Sequence, residues 1–272
     1  MFPFLPSGPE GEQGRLFCYL SRMRLFTAEA LILDVFDLHD RDRIVTFLTR
    51  DEGKKRGVAR GARTKHSRFA GQLQPLAKAQ VTWFEKEGRD LARLSAVELV
   101  RPAHRLQADL EGILLGSYLA DHLLEFAQEG ESAEVLFRLL DSTLEALLAG
   151  VDRDLAARYF EAWILRLAGI FPAPDVCPNC GEPFTGKGAV LPVGGDALLC
   201  RDCGGGGGFL VAAETLAFLR RIGRESLPRT AEKPPSIATL RQVEELCARV
   251  RRHFLQHELR SYEVIQRTRA TL

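Results

Sequence analysis

The sequence predicts an α+β protein with several domains, and three patterns support this prediction. From Ala28 onward, short runs of apolar residues alternate with turn residues in the manner of β-strands. After Pro102 the apolar residues recur at about 3.6 residues, the period of an α-helix. Four cysteines in two close pairs then interrupt the helical part. Together these patterns predict an N-terminal OB-fold β-barrel followed by an α-helical domain with an inserted four-cysteine zinc ribbon.

The domain boundaries follow from these changes of pattern. The first twenty residues hold three prolines and three glycines without apolar periodicity, so we expect residues 1–22 to be a poorly ordered extension. The zinc ribbon is expected to be an insertion within the helical domain. The other predicted boundaries are 23–102 for the OB-fold, 103–176 for the first helical part, 177–208 for the ribbon and 209–272 for the second helical part.

Five strands are expected in the N-terminal domain. Their sequences are AEALILDVF, DRIVTFLTR, KKRGVAR, PLAKAQVTWFE and DLARLSAVEL. Turns are indicated at Asp51-Glu52-Gly53 and at Glu87-Gly88, where glycine supplies the required backbone freedom. Short turns between several strands favour a small antiparallel barrel, of which the OB-fold is the commonest version that binds nucleic acids. An SH3-like barrel is the alternative.

Apolar residues at helical spacing predict five helices in the second domain. The first is expected at residues 110–126, the second is capped by Ser132, and the third ends at Gly169. Two further helices are expected at residues 212–221 and 237–259, with a proline-rich loop between them. The leucine stripes along these helices are typical of core packing.

The paired cysteines carry the most specific signal in the chain. Cys177, Cys180, Cys200 and Cys203 follow the pattern C-x2-C, nineteen residues, C-x2-C. This is the spacing of a tetrahedral zinc site, because each pair lets two thiolates reach one ion from a tight turn. The alternatives are two disulfides or a thioredoxin-type redox pair, but no strand-then-helix pattern surrounds either pair. With four cysteine ligands no coordination position stays open, so one zinc per chain would be structural.

Residues 54–68 form the most basic segment of the chain, with no acidic residue among them. Residues 22–101 as a whole carry 17 Lys and Arg against 11 Asp and Glu, although the net charge of the chain is +1. Such asymmetry is typical of a DNA-contacting module joined to a separate scaffold, the alternative being a charged face exposed to solvent. The cations of the segment are Lys54, Lys55, Arg56, Arg60, Arg63, Lys65 and Arg68.

Two aromatic residues lie close in sequence to this basic segment. Phe69 and Trp83 are candidate surfaces on which bases of a nucleic acid could stack. For Trp83 the competing interpretation is a core position, because it alternates with Ala79 and Val81 in a predicted strand.

Several enzyme and membrane classes are disfavoured by the sequence. The segment GEPFTGKG at residues 181–188 lacks the Ser or Thr that ends a P-loop, so no nucleotide site is expected. No His-x-Glu precedes the cysteines as in zinc deaminases, and His253 and His257 lack the Glu of the metalloprotease motif. The chain has neither a long uncharged apolar run nor a secretory signal, so a cytoplasmic protein without a membrane segment is expected.

Three segments of the chain carry a more specific signal than composition or periodicity does. The run HDRDRIVTFLTRDEGKKRGVARGARTKHSRFAGQLQPL is similar to the N-terminal domain of the RecO family of bacterial recombination mediators. RYFEAWILRLAGIFPAPDVCPNCG is similar to the family's junction between helical domain and zinc knuckle, and HELRSYEVI to a segment near its C-terminus. The resemblance extends over residues 27–266, and its most specific part is the spacing of Asp42-Arg43, Thr49-Arg50, Gly53-Lys54 and Gly61-Ala62-Arg63.

The resemblance implies a non-catalytic, nucleoid-associated DNA-repair protein. Such proteins bind single- and double-stranded DNA, anneal complementary strands, partner with RecR and the single-stranded-DNA-binding protein, and help to load RecA. On this resemblance the DNA contacts would fall on the cations of residues 54–68, together with Arg41 and Arg43 from the neighbouring strand. The alternatives are a zinc-ribbon transcription or replication factor that binds duplex DNA, and an enzyme whose site is not visible in the sequence.

A partner-binding site is also expected in the helical domain. The tail of the single-stranded-DNA-binding protein is short, acidic and ends in an aromatic residue in related systems, so it needs an apolar pocket rimmed by arginines. Exposed helix faces are the alternative interpretation of such arginines. The candidates are Arg220, Arg221 and Arg224 in one group and Arg249, Arg251 and Arg252 in the other.

Overall fold

The computed structural model describes residues 23–184 and 186–271, so the extension predicted at residues 1–22 lies outside the described residues. The N-terminal domain contains the expected five strands. Their bounds are β1 Met23–Leu38, β2 Asp42–Thr49, β3 Lys54–Ala59, β4 Lys78–Lys86 and β5 Ala92–Arg101.

The five strands pair in the order β1-β2-β3-β5-β4, and β4 pairs again with β1. Neighbours are antiparallel except β3 and β5, which share the parallel pairs Gly57 with Ala92 and Val58 with Arg93. This short parallel contact is the weakest part of the ring, so the sheet is OB-like with a partly open seam. The predicted combination of an OB-like domain with a helical domain is confirmed.

The remaining chain forms the helical domain with a small ribbon inserted in it. The first three helices are α1 Leu110–Phe126, α2 Glu134–Leu148 and α3 Arg153–Leu167. The ribbon contributes β6 Ala189–Leu191, α4 Arg201–Gly204 and β7 Phe209–Val211. The second helical part contains α5 Ala213–Ile222, α6 Leu227–Ala231, α7 Ile237–Leu255 and α8 Arg260–Thr271.

Three local expectations for the helices were wrong. Ser132 does not cap α2, because its hydroxyl donates to the Arg50 carbonyl of the OB-like domain instead. The last predicted helix ends at Leu255, since Gln256 adopts a left-handed conformation with φ of 62°, and a separate helix α8 follows. The proline-rich loop contains α6, where Pro228 lies in the first turn, a position that tolerates proline.

The β2–β3 turn docks the OB-like domain on the loop between α1 and α2. The Lys54 amide donates to the Gln128 carbonyl at 3.1 Å, and the Ala133 amide donates to the Arg50 carbonyl at 2.7 Å. Gly53 has φ of +65°, and a Cβ at this position would lie 2.1 Å from the carbonyl oxygen of Glu131. Only glycine fits so close an approach of two backbones. The turn that the sequence predicted therefore also joins the two domains.

A cluster of buried polar side chains joins α1, α3 and α7 inside the helical domain. Arg158 pairs with Glu161 and with Glu244, each at 2.6 Å, and Glu161 is fully buried. Arg251, also fully buried, donates to the Tyr118 hydroxyl at 2.8 Å. Because a buried charge without a partner is costly, these residues form a unit in which each member stabilises the others.

His122 belongs to this cluster and gives the fold a dependence on pH. Its Nδ1 lies 2.8 Å from the Tyr118 carbonyl, its Nε2 faces Arg251, and the ring is completely buried. Burial, and then the charges of Arg251 and Arg158, hold the pKa of His122 well below its usual value. Below about pH 6.5 the unfolded chain therefore binds a proton that the folded protein does not.

We expect the free energy of unfolding to fall as pH decreases below about 6.5, by up to ~1.4 kcal/mol per pH unit. Urea unfolding between about pH 5 and pH 7.5 measures this slope. His122→Asn should flatten it, whereas the control His253→Asn alters an exposed histidine and should retain it. An equal slope in wild type and His122→Asn would contradict the prediction.

Candidate nucleic-acid interface and metal centre

The basic segment 54–68 does not form one continuous surface. Lys54 points into the junction between the domains, where its ammonium donates to the Leu124 carbonyl and burial lowers its pKa. The ammonium of Lys54, which was predicted to contact DNA, is thus engaged in a contact within the protein. The other six cations divide between the two ends of β3.

The first group lines an open cleft of about 610 Å³ beside the start of β3. Lys55 is the least exposed member, since it pairs with Glu85 at 2.9 Å and with Glu52 at 3.4 Å. The cleft also exposes the carboxylates of Glu87 and Glu129. We refer to its five basic residues as the groove cations, and they are Arg24, Lys55, Arg56, Lys86 and Arg89.

Sequence reasoning missed three groove cations because they lie far apart along the chain. Arg24 stands at the start of β1, Lys86 at the end of β4, and Arg89 in the turn that follows. The pairing of β1 with β4, in which Met23 opposes Lys86, brings these positions together. Predicting these three cations would have required the register between β1 and β4, because no local motif marks them.

The second group surrounds the β1–β2 hairpin and the turns that follow β3. The Arg63 amide donates to the Arg41 carbonyl at 3.0 Å, and Arg43 and Arg63 share the carboxylate of Asp37 at 3.1 and 3.4 Å. The Gly61 amide donates to Asp42 at 2.8 Å, which fixes the exit from β3. We refer to these residues as the corner cations, and they are Arg41, Arg43, Arg60, Arg63, Lys65 and Arg68.

The two aromatic residues proposed for base stacking are buried. Trp83 is 0% exposed, stacks on Phe26 at 5.3 Å and donates its indole N–H to Glu85 at 2.8 Å. Phe69 is 2% exposed and lies under the Arg68 guanidinium at 4.9 Å. The prediction that bases stack on these two rings was therefore wrong, because neither ring is accessible. The alternative interpretation of Trp83 as a core residue is correct. Phe36, which is 41% exposed and pairs with Ile44 next to Arg43, offers an accessible ring instead.

The four cysteines converge in the ribbon. Their sulfur atoms all lie within 4.8 Å of one another, and those of Cys180 and Cys200 are 3.7 Å apart. Each pair sits in a tight turn, closed by the Gly181 amide donating to the Cys177 carbonyl and the Gly204 amide to the Cys200 carbonyl, both at 2.8 Å. The cluster is close enough to hold one metal ion.

The surroundings of these thiols shift their pKa values in opposite directions. Burial raises the pKa of Cys177, but hydrogen bonds from the backbone at Cys200, Cys180 and Asn179 outweigh it and bring the pKa to about 6. Hydrogen bonding with Cys200 and Cys180, then burial, raise the pKa of Cys203 to about 12. The cluster therefore favours one thiolate, at Cys177, while Cys203 keeps its proton. A metal ion bound here would have to displace the remaining protons, since the thiolate is the form that ligates metal.

The arginines proposed for partner binding differ in availability. Arg251 is excluded because it is fully buried and pairs with Glu258 at 2.6 Å. Arg220 and Arg221 donate to backbone carbonyls at Pro174 and Lys233, both at 2.7 Å. The three exposed members are Arg224, Arg249 and Arg252.

Beside the C-terminal part of α7 lies an apolar cavity of about 600 Å³, and none of these arginines is among its lining residues. Its walls come from the chain that links α3 to the ribbon, from the ribbon itself and from the end of α7. Phe254 on α7 is 54% exposed and stacks on Phe126 of α1 at 6.1 Å. The principal apolar lining residues are Ile170, Phe171, Val176, Leu198, Val250 and Phe254.

Comparisons with known proteins agree with this architecture. The family model described as Recombination protein O N terminal matches residues 23–103, and Recombination protein O C terminal matches residues 107–263. The chain belongs to the RecO family. Similar proteins named DNA repair protein RecO include that of Anaeromyxobacter sp. strain K, with 36% identity over 84% of this chain and 89% of the relative. The protein of Geobacter sulfurreducens is 37% identical over 73% of this chain and 81% of the relative. The protein of Roseiflexus sp. RS-1 is 33% identical over 92% of this chain and 88% of the relative.

Membership of the RecO family supports a role in DNA repair and recombination. The family matches together cover the OB-like domain, the helices and the cysteine cluster, whereas the last turns of α8 lie beyond residue 263. Among the helices in the described ranges, none is long and apolar enough to cross a membrane.

Proposed function

We propose that this RecO-family chain is a non-catalytic recombination mediator that binds single- and double-stranded DNA and anneals complementary strands. The observation that carries the proposal is the concentration of exposed cations on the OB-like domain, in a chain whose relatives are named DNA repair proteins. Lys and Arg contacts to phosphates give affinity without reading sequence. The protein would act in the cytoplasm, at the nucleoid.

Salt dependence tests the DNA-binding part of this proposal. Each phosphate contact contributes about 0.7 to 0.9 to the slope of log affinity against log salt. Lys55→Ala, Arg56→Ala and Arg60→Ala together should therefore reduce the slope on duplex DNA by roughly two to three units. The measurement is a salt titration of fluorescence anisotropy with single-stranded and duplex oligonucleotides, accompanied by an annealing assay.

A matched control removes three exposed arginines of the helical domain, through Arg138→Ala, Arg229→Ala and Arg241→Ala. This control should retain both the salt slope and annealing. If the OB-domain triple variant also retains the wild-type slope, or anneals normally despite a reduced slope, the DNA-binding surface lies elsewhere.

We further propose that the four cysteines bind one zinc ion. Tetrahedral Zn–S bonds of about 2.3 Å place two sulfur atoms about 3.8 Å apart, and the Cys180 and Cys200 sulfur atoms are 3.7 Å apart. All four ligands are soft thiolates, which zinc accepts in structural sites. The ion would neutralise the thiolates and hold the two turns of the ribbon together.

The partners proposed are RecR, the single-stranded-DNA-binding protein and, for loading, RecA. The apolar cavity beside Phe254 fits an aromatic peptide end. Arg252 does not line this cavity, and its guanidinium pairs with Glu258 at 2.9 Å. We expect Phe254→Ala to weaken binding of an acidic peptide ending in phenylalanine by about tenfold, since aromatic anchors dominate such contacts. Fluorescence polarisation with a labelled peptide measures this. The control is Phe36→Ala, which alters an exposed ring on the other domain. Equal peptide affinities of wild type, Phe254→Ala and Phe36→Ala would show that the peptide does not bind in this cavity.

A further inference from the structure

The strand β3 sets a distance between the two groups of cations on the OB-like domain. Lys55 and Arg56 lie at its start, and Arg60 follows its last residue, Ala59. Because an extended chain rises about 3.3 Å per residue, the Cα atoms of Lys55 and Arg60 are separated by about 16 Å. The basic segment that is continuous in sequence therefore supplies two separate surfaces.

The strand β1 separates the same two surfaces independently. Arg24 among the groove cations is its second residue, and Asp37, which holds Arg43 and Arg63 among the corner cations, is its last residue but one. The groove cations thus lie where β1 and β3 begin, and the corner cations lie where both strands end. Two strands of the same sheet place the groups at opposite ends of the domain.

The two surfaces also differ in shape and in internal charge. The groove is concave, and carboxylates compete there for its cations, with Glu85 and Glu52 both holding Lys55. The corner is built from successive turns after β3, in which the Thr64 amide donates to Gly61 and the Ser67 amide to Thr64, both at 3.1 Å. Most of its cations are exposed, and Asp37 is the carboxylate that pairs with them.

We infer that the groove cations and the corner cations bind two different DNA strands, so that annealing requires both surfaces of one molecule. This inference rests on the proposed function. Two strands approaching each other repel through their phosphates, and the repulsion falls when each strand is neutralised by its own cations. Two cationic surfaces that come as close as about 16 Å along β3 can hold two strands near each other while each strand keeps its own phosphate contacts.

Matched variants are available for each surface. Arg56→Ala, Lys86→Ala and Arg89→Ala remove three exposed groove cations, and Arg60→Ala, Lys65→Ala and Arg68→Ala remove three exposed corner cations. Within the described part of the chain, none of the six forms an ion pair, so each substitution leaves no carboxylate without a partner. Arg138→Ala, Arg229→Ala and Arg241→Ala again serve as the control.

The experiment measures the stoichiometry with a single-stranded oligonucleotide of about eight nucleotides, within the range that one OB domain occupies. We expect two oligonucleotides per wild-type chain, one per chain for each triple variant, and none when the two sets of substitutions are combined. The annealing rate of full-length complementary strands should fall by about tenfold or more in each triple variant, and the control should match wild type.

The possible outcomes separate this inference from the proposed function. A wild-type protein that anneals while binding one oligonucleotide per chain overturns the two-strand inference and leaves the function intact. Annealing that one triple variant retains in full also overturns it. A wild-type protein that neither binds nor anneals DNA overturns the proposed function itself.

Discussion

Replacing Cys200 and Cys203 together with serine is expected to abolish metal binding and unfold the ribbon. The strands β6 and β7 are three residues each, and a two-stranded sheet of this size is marginal in water. Apart from the cysteine cluster, the ribbon is held by apolar residues such as Phe184, Leu191 and Leu198, which pack in the core of the helical domain. In small zinc domains the metal contributes about 10 to 16 kcal/mol of folding free energy. Loss of two ligands therefore removes a large part of the stability of this insertion and leaves its apolar packing to hold it.

Elemental analysis of protein purified without chelator should find one zinc per wild-type chain and none in the double variant. Limited proteolysis should then cut the variant rapidly at the exposed glycines 205–208, while circular dichroism should retain the signal of α1, α2 and α3. Cys247→Ala, at a buried cysteine of α7 outside the cluster, is the control and should keep its metal. Equal metal content in all three proteins would rule out the cysteine site.

Loss of the metal should also affect the apolar cavity, because the ribbon forms one of its walls. Val176, Pro178 and Leu198 lie next to or between the cysteines and line the cavity opposite Val250 and Phe254. The metal is thus proposed to support a binding surface as well as a local fold. In the double variant the acidic peptide should lose affinity together with zinc.

The sequence predicted those features that depend on local patterns. Alternation along β4 placed Ala79, Val81 and Trp83 in the core, and the spacing of the cysteines predicted a cluster that the structure brings within one coordination sphere. The leucines at a spacing of about 3.6 residues predicted the helices, but not all of their ends. Helix α8 was missed because its polar sequence carries little apolar periodicity.

Features that depend on distant contacts were not predictable from local patterns. Lys54 looks like its basic neighbours in sequence, but its partner Leu124 is 70 residues away. Arg251 likewise looks like an exposed arginine beside Arg252, yet it is buried against Tyr118, 133 residues away. One sequence holds no signal for such partners, because each arises from the packing of two domains or two helices. The same limit hid the groove, which exists only once β1 pairs with β4.

Arg158→Met is expected to destabilise the helical domain by about 3 to 5 kcal/mol, because it removes the cation from a buried cluster. The side chain of Arg158 is 4% exposed, and its loss leaves Glu161 and Glu244 without the guanidinium that both contact at 2.6 Å. Methionine has a similar length, so loss of volume contributes little. The measurement is urea unfolding, which gives the difference in free energy between variant and wild type.

Arg153 on the same helix provides a matched control for Arg158. It also pairs with two carboxylates, Asp109 at 2.8 Å and Glu111 at 3.2 Å, but its side chain is 37% exposed. Since water screens exposed ion pairs, Arg153→Met should cost no more than about 1 kcal/mol. Equal losses for the two substitutions would mean that burial does not set the strength of these pairs.

The cost of Arg158→Met should also depend on pH, with a sign that follows from Glu161. Burial raises the pKa of Glu161 even in the presence of Arg158, and removal of the neighbouring cation raises it further. In the unfolded chain Glu161 has a pKa near 4.3 and loses its proton above that pH, whereas in the folded variant it keeps the proton. The free energy of unfolding of the variant therefore falls as pH rises above about 4.3. The destabilisation should therefore be larger at about pH 8 than at about pH 5.5.

Adding Glu161→Gln removes this titration, and the double variant should recover stability at the higher pH. If it is instead less stable than Arg158→Met at both pH values, the loss arises from packing and not from an unpaired buried charge.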